Sequence, residues 1–155
     1  MTDIKWEAPT VSLTDYLTTT LNSLSNNVID IGAAINNQTN LCTFMDLEVT
    51  LASVDLSSQT NPSITIYLFE SVDGGTDYDT NEDGVSAATD IPTADKICAI
   101  LGLRVDTAAE AKTAVKSMIP IPPGYFKLGF RNTTGATLAA SGNVLAYRTY
   151  NIQSV

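Results

Sequence analysis

The densest set of side chains that could do chemistry lies between residues 70 and 95. This segment holds eight Asp or Glu residues and no Lys or Arg, so it carries −8 of the net charge of −9. Residues 79–90 place oxygen atoms at positions 1, 3, 5, 7 and 12 of a run with Gly84 at position 6. Calcium prefers a flexible cage of hard oxygen ligands, and glycine permits the tight turn that points alternate residues inward. The predicted ligands are Asp79, Asn81, Asp83, Val85 through its carbonyl oxygen, and Asp90.

This spacing resembles an EF-hand-type calcium loop, and Asp rather than Glu at position 12 brings it closer to the dockerin variant. Two features depart from that pattern: Ala87 at position 9 supplies no side-chain ligand, and Pro92 blocks an exiting helix. The competing interpretation is a soluble polar loop, because Asp, Asn and Gly are ordinary turn residues. We expect a bound ion to order the loop rather than to catalyse, since no histidine or nucleophile lies nearby. An alternative site uses three carboxylates, Asp73, Asp77 and Asp79.

Few other side chains could support catalysis. The chain has no histidine, which excludes Ser-His-Asp and Cys-His nucleophiles and imidazole zinc sites. Asp46 and Glu48 could serve glycoside hydrolysis as a carboxylate pair. Two acidic residues spaced this way, however, are typical of the solvated face of an amphipathic strand. The sequence therefore predicts a protein that is not an enzyme.

The cysteines and two asparagines carry weaker signals. Cys42 and Cys98 have neither metal-ligand nor redox spacing, so two free thiols are the favoured interpretation and a disulfide is the alternative. The segments Asn37-Gln-Thr39 and Asn132-Thr-Thr134 match the glycosylation sequon. Since the N-terminus lacks the features of a secretory signal, we interpret both segments as polar turns.

The elements that must position these residues are mostly strands, because apolar and polar residues alternate with a period of two along much of the chain. Leu17, Leu21 and Leu24 have helical spacing and predict one short helix. Seven or eight short strands predict an all-β fold, a two-sheet antiparallel β-sandwich of jelly-roll type, with an immunoglobulin-like sandwich as the alternative. The predicted strands are roughly 41–53, 63–70, 97–105, 114–119, 125–131 and 144–150, with further candidates at 28–34 and 10–13.

Length and composition indicate one domain, since 155 residues with 44% hydrophobic content can bury a single core. We expect an extended N-terminal arm over 1–13, one sandwich domain over 14–150 and a C-terminal tail over 151–155. A long acidic loop at 71–96 interrupts the domain. The negative net charge disfavours nucleic acid and anionic membranes as partners. Without a signal peptide or a long apolar stretch, the expected site of synthesis is the cytoplasm.

Three motifs in the last third of the chain carry a resemblance. They are the segment from Met118-Ile-Pro-Ile-Pro-Pro-Gly124 to Lys127, the turn Asn132-Thr-Thr-Gly135, and the strand Ser141-Gly-Asn-Val-Leu-Ala-Tyr-Arg-Thr-Tyr150. They resemble small virion structural proteins of tailed bacteriophages, in which a proline-rich turn feeds a strand, a polar turn follows, and an SGN-x-L-x-x-R-x-Y strand ends the domain. The segments Ile4-Lys-Trp6 and Glu70-Ser-Val-Asp-Gly74 look similar as well.

The resemblance implies a non-enzymatic capsid decoration, or cement, protein located on the capsid surface of the virion. Its partners would be the major capsid protein and copies of itself, commonly as a trimer, and the contacts would run through the terminal segments. The alternative is a calcium-ordered carbohydrate- or receptor-binding module of a tail or head fibre, in which Tyr78 beside the acidic loop presents its ring to a sugar.

Overall fold

The structure is a computed structural model that describes residues 4–6, 12–79, 91–106 and 109–154. Two short 3-10 turns, Thr19–Leu21 and Ala94–Lys96, accompany the described strands. The strands are β1 (Ile4–Trp6), β2 (Thr14–Leu17), β3 (Ile29–Ile31), β4 (Ile35–Asn36), β5 (Phe44–Val54), β6 (Ser63–Ser71), β7 (Ile97–Gly102), β8 (Glu110–Pro120), β9 (Tyr125–Thr133), β10 (Val144–Tyr150) and β11 (Ile152–Ser154).

Strands β2 to β10 form two antiparallel sheets that pack face to face. The first sheet has the order β2-β10-β5-β8, and the second has the order β3-β9-β6-β7 with β4 also paired to β9. The pairs are nested: β6 pairs with β7, β5 with β8, β3 and β4 with β9, and β2 with β10. This is the strand order of a jelly roll. The predicted all-β, two-sheet antiparallel sandwich is confirmed.

The core between the sheets follows from the period-two pattern. On β5, Met45, Leu47, Val49 and Leu51 are fully buried, and they belong to one core cluster with the buried apolar side chains of β9. Each such side chain contributes roughly 1.5–3 kcal/mol when it leaves water. The alternation along these strands therefore fixes which face of each sheet points inward.

The predicted short helix is wrong. Leu17 ends β2, Leu21 ends a 3-10 turn, and Leu24 lies in the turn that follows. All three leucines are buried in the main core, but each belongs to a different local element. Their spacing therefore does not mark one face of a helix. Intervening Thr, Asn and Ser residues have low helix propensity, which favours this path. Of the strand expected over 10–13, residues 10 and 11 lie outside the described residues, and residues 12 and 13 precede β2, which begins at Thr14.

The terminal segments meet outside the sandwich. Strands β1 and β11 pair antiparallel, with Ile4 opposite Ser154 and Trp6 opposite Ile152. This terminal ribbon is a sheet of its own, separate from the two sheets of the sandwich. Parts of the expected arm and of the expected tail thus form one element. The described residues contain no helix that is long and apolar enough to cross a membrane.

Of the predicted strand at 28–34, only Ile29–Ile31 forms a strand, and it ends before Gly32, where Tyr16 of β2 lies against the backbone. The Tyr16 hydroxyl donates to the carbonyl oxygen of Ala33 at 2.6 Å and accepts the Leu128 N–H at 3.0 Å. Burial raises the pKa of Tyr16, so the hydroxyl keeps its proton for this bridge. A Cβ atom at residue 32 would overlap the Tyr16 ring.

Replacing Gly32 with alanine is expected to lower the free energy of unfolding by about 1–3 kcal/mol, because the Tyr16 ring must move and strain its bridge. Urea denaturation checks this. Gly102→Ala is the matched control, since no heavy atom lies within 4 Å of its added Cβ. Equal effects of the two substitutions would contradict the proposed role of Tyr16.

Candidate functional site

The acidic segment is the connection of the β6–β7 hairpin, the one hairpin joining neighbouring strands within a sheet of the described sandwich. Its residues 72–79 and 91–96 are described. Of the predicted calcium ligands, Asn81, Asp83, Val85 and Asp90 lie outside the described residues.

Asp79 forms an ion pair with Lys96, and the Lys96 ammonium also lies 3.2 Å from the Asp95 carboxylate. Hydrogen bonds to Asp79 and then Asp95 raise the pKa of Lys96. Lys96 directly follows the acidic segment, so this contact ties the two ends of the connection together. Solvent screens such partly exposed pairs and weakens them.

Asp73 organises the turn that follows β6. Its Oδ1 accepts hydrogen bonds from the Ser71 hydroxyl at 2.7 Å and from the N–H groups of Thr76 and Asp77 at 3.1 and 3.0 Å. These bonds, with that from Ser71 the strongest, lower the pKa of Asp73. The alternative metal set would therefore have to share Asp73 with this turn. Within the described ranges, no three Asp, Glu or Cys side chains group closely enough to hold a metal ion.

Tyr78 fastens the acidic connection to the outer face of the second sheet. The Lys127 ammonium lies 4.0 Å from the centre of the Tyr78 ring, a cation–π contact. Tyr78 is only 8% exposed, so the expectation that it presents its ring to a sugar is wrong. The apolar cluster beneath it, called here the outer cluster, comprises Ile29, Ile31, Tyr67 and Phe69 together with Tyr78.

The sequence contains a signal for the outer cluster that the strand analysis did not use. The run Ile66-Tyr-Leu-Phe69 is apolar without alternation, which is typical of a strand covered on both faces. In the structure, Ile66 and Leu68 belong to the main core while Tyr67 and Phe69 belong to the outer cluster.

The Asp46 and Glu48 pair does not form two equivalent carboxylates on a solvated face. Asp46 is buried, and its Oδ2 accepts from Arg148 Nε at 2.9 Å and lies 2.8 Å from Arg148 Nη2. Its Oδ1 accepts the N–H of Met118 at 3.2 Å, at a bulge in β8 where Met118 has a φ of 62°. Burial works to raise the pKa of Asp46, but the bonds from Arg148 and Met118 outweigh it and the pKa is lowered. Asp46 is thus a neutralised structural group.

The asparagines of the two sequon matches are buried in the sandwich and hold its loops. The Asn37 side-chain amide donates to the carbonyl oxygens of Cys42 at 2.8 Å and Pro122 at 2.7 Å. That of Asn132 donates to Leu24 at 2.9 Å and Ala136 at 2.8 Å. Both are therefore inaccessible for modification in the folded state. Asn37 directly precedes a turn at 38–40, whereas Asn132 lies at the end of strand β9 rather than in a turn.

The two cysteines are free thiols in the structure, and both are half-buried. Burial raises the pKa of the Cys98 thiol to about 12. A thiol with so high a pKa is protonated near neutral pH and is a poor nucleophile.

No known family model matches this chain, and no curated protein matches it either.

Arg148→Met is expected to lower the free energy of unfolding at pH 7 by about 1–3 kcal/mol, because buried Asp46 loses its charged partner. In the wild type, the lowered pKa of Asp46 adds stability above the ordinary Asp pKa of about 3.9, and this stability is lost as the pH falls through the folded-state pKa. The difference in free energy of unfolding between the wild type and Arg148→Met should therefore become smaller below about pH 4.

Urea denaturation of both proteins, at pH 7 and below about pH 4, measures this difference in free energy of unfolding. Arg104→Met is the matched control, because the Arg104 side chain is 83% exposed and its charge is screened by solvent. A difference of the same size at both pH values would show that Arg148 acts through packing alone.

Calcium addition tests the predicted loop directly. Calcium that binds only the folded state stabilises it by about 2.7 kcal/mol at a hundredfold excess over Kd. We expect the melting temperature to rise with calcium and to fall back with EDTA, and Asp79→Ala should abolish the rise. Asp77→Ala should retain it, because Asp77 lies outside the run 79–90. Loss of the rise in both variants would favour the alternative carboxylate set, and a wild type that does not respond would leave the soluble polar loop.

Proposed function

We propose that this chain is a non-enzymatic structural protein of a phage virion, a capsid decoration protein that binds the major capsid protein and copies of itself and stabilises the shell. The proposal rests on the resemblance of its turn and strand motifs, together with features of the fold that suit a role in protein contacts.

The terminal ribbon is the observation that carries the proposal furthest. Both ends of the chain leave the sandwich on the same side, and β1 and β11 pair only with each other. A two-stranded ribbon is marginally stable in water on its own, so it gains from docking onto a further surface. Ile152 at the start of β11 is 40% exposed and offers an apolar contact for such docking. Strand addition to a neighbouring protein is a common use of an unpartnered ribbon edge.

The distribution of charge supports protein contacts as well. Residues 70–95 carry −8 of the −9 total, so the other residues sum to −1. A nearly neutral body is compatible with packing against a protein shell, because charged residues are depleted at the centres of protein interfaces. The jelly-roll fold occurs in viral capsid domains and also in lectin domains, so the fold by itself is compatible with the fibre alternative too.

Deleting residues 1–12 is expected to abolish co-sedimentation with virus particles that lack this protein, since the deletion removes β1 and leaves β11 without its partner. The sandwich should still unfold cooperatively, because its first strand begins at Thr14. Val72→Ser is the control, a change at a fully exposed side chain of the β6–β7 connection that should leave binding intact.

Retained particle binding by the truncated chain would overturn the assignment of the terminal ribbon as the contact. Failure of the intact chain to bind particles, combined with binding to a glycan array, would favour the receptor-binding module of a fibre instead.

A further inference from the structure

The sandwich has four edge strands, β2 and β8 in the first sheet and β3 and β7 in the second. An edge strand exposes unpaired N–H and C=O groups that can pair with another chain. Proteins block such pairing with short strands, charges, prolines, bulges or covering side chains. The four edges of this protein differ sharply in these devices.

The edge at β8 is the longest and carries several protections. It contains a bulge at Met118, and it ends at Pro120. Lys112 and Lys116 place two charges along it. A second strand laid along β8 would meet these interruptions over most of its length.

The edges at β2 and β3 are short. Strand β2 has 4 residues and carries Asp15, whereas β3 has 3 residues. The chain beyond β3 is held at Gly32 by the Tyr16 ring and hydroxyl. Neither edge offers enough regular backbone for stable pairing.

Strand β7 has fewer of these protections, namely a bulge at Cys98, where its register against β6 shifts by one residue. Its 6 residues, Ile97-Cys-Ala-Ile-Leu-Gly102, include no charge and no proline. Ile100, which lies beyond the bulge and pairs with Thr65, is 63% exposed. A short, uncharged segment of β-forming residues on an open edge is the pattern that favours edge-to-edge association.

We propose that β7 pairs antiparallel with β7 of a second copy of this chain, about a twofold axis near Ile100. The charges that flank the strand favour a second copy as the occupant. Asp95 and Lys96 precede β7, whereas Arg104 and Asp106 follow it. In an antiparallel pair the beginning of one strand lies beside the end of the other, so each end of the interface combines two acidic with two basic side chains.

This arrangement is electrically balanced even though the whole chain carries −9. The side chains of Asp95 and Arg104 are 67% and 83% exposed and can reach across to the partner copy. The twofold pair also covers the exposed side chain of Ile100 with its own symmetry mate. Such a contact uses the same patch on both copies and closes after two chains. The contact requires no virus particle; it gives a surface for the self-association that is part of the proposed function, and its failure in solution would leave the test of particle binding unaffected.

The test is the mass of the full-length chain in solution, measured by sedimentation equilibrium over a range of concentrations. The wild type should approach twice the mass of one chain as concentration rises. Ile100→Lys should raise the dissociation constant by roughly tenfold or more, because two lysines then face each other across the axis. Val115→Lys is the matched control on β8, where the native side chain is 59% exposed, and it should leave association unchanged.

Arg104→Glu provides a second readout that leaves the strand itself intact. It makes each end of the interface acidic, so association should weaken at low salt and recover at high salt. A wild type that stays at the mass of one chain at every concentration would overturn the proposal. So would an Ile100→Lys protein that still associates like the wild type, or a loss of association caused by Val115→Lys instead.

Discussion

The architecture depends on burying the backbone of connections that cross from one sheet to the other. Such crossings leave N–H and C=O groups inside the protein, and each must find a partner. Three buried asparagines supply many of those partners, and each joins two different connections. Asn37 links the β4–β5 and β8–β9 connections, whereas Asn132 links the β2–β3 and β9–β10 connections. Asn143 binds Asn22 and Ala139 through its amide nitrogen and accepts the N–H of Ala52.

This requirement explains the motifs that carry the resemblance to phage virion proteins. In the turn Asn132-Thr-Thr-Gly135, the Asn132 side chain also accepts hydrogen bonds from the backbone and hydroxyl of Thr134, and Gly135 has a φ of 86°. In the segment Ser141-Gly-Asn143, Gly142 has a φ of 79° and places Asn143 at the corner before β10. The residues of these motifs form the corners between strands of the sandwich. The motifs therefore give direct information about the fold, whereas they indicate a partner only through the resemblance.

Local periodicity sufficed to predict the strands whose two faces differ. The predicted segment 144–150 coincides with β10, and 63–70 misses β6 by one residue. Features that arise from contacts between residues far apart in the sequence could not be predicted from this local periodicity. Asp46 has the spacing of a solvated residue and is buried only because Arg148 on the adjacent strand neutralises it. Tyr78 lies in a polar, acidic segment and is buried because β6 and β9 present an apolar outer face and Lys127 beneath that segment.

The placement of satisfied and unsatisfied groups is informative about function. Asp46, the carboxylate that the sequence offered for catalysis, is held in an ion pair with Arg148. Lys127 is likewise engaged, in its cation–π contact with the Tyr78 ring. The described connection is tied down at Tyr78 and at Asp79. What is left open is backbone: the edge of β7 and the terminal ribbon can still form hydrogen bonds with another chain. Among the described residues, these side chains are therefore engaged within the protein, whereas the backbone at these two edges can pair with another chain.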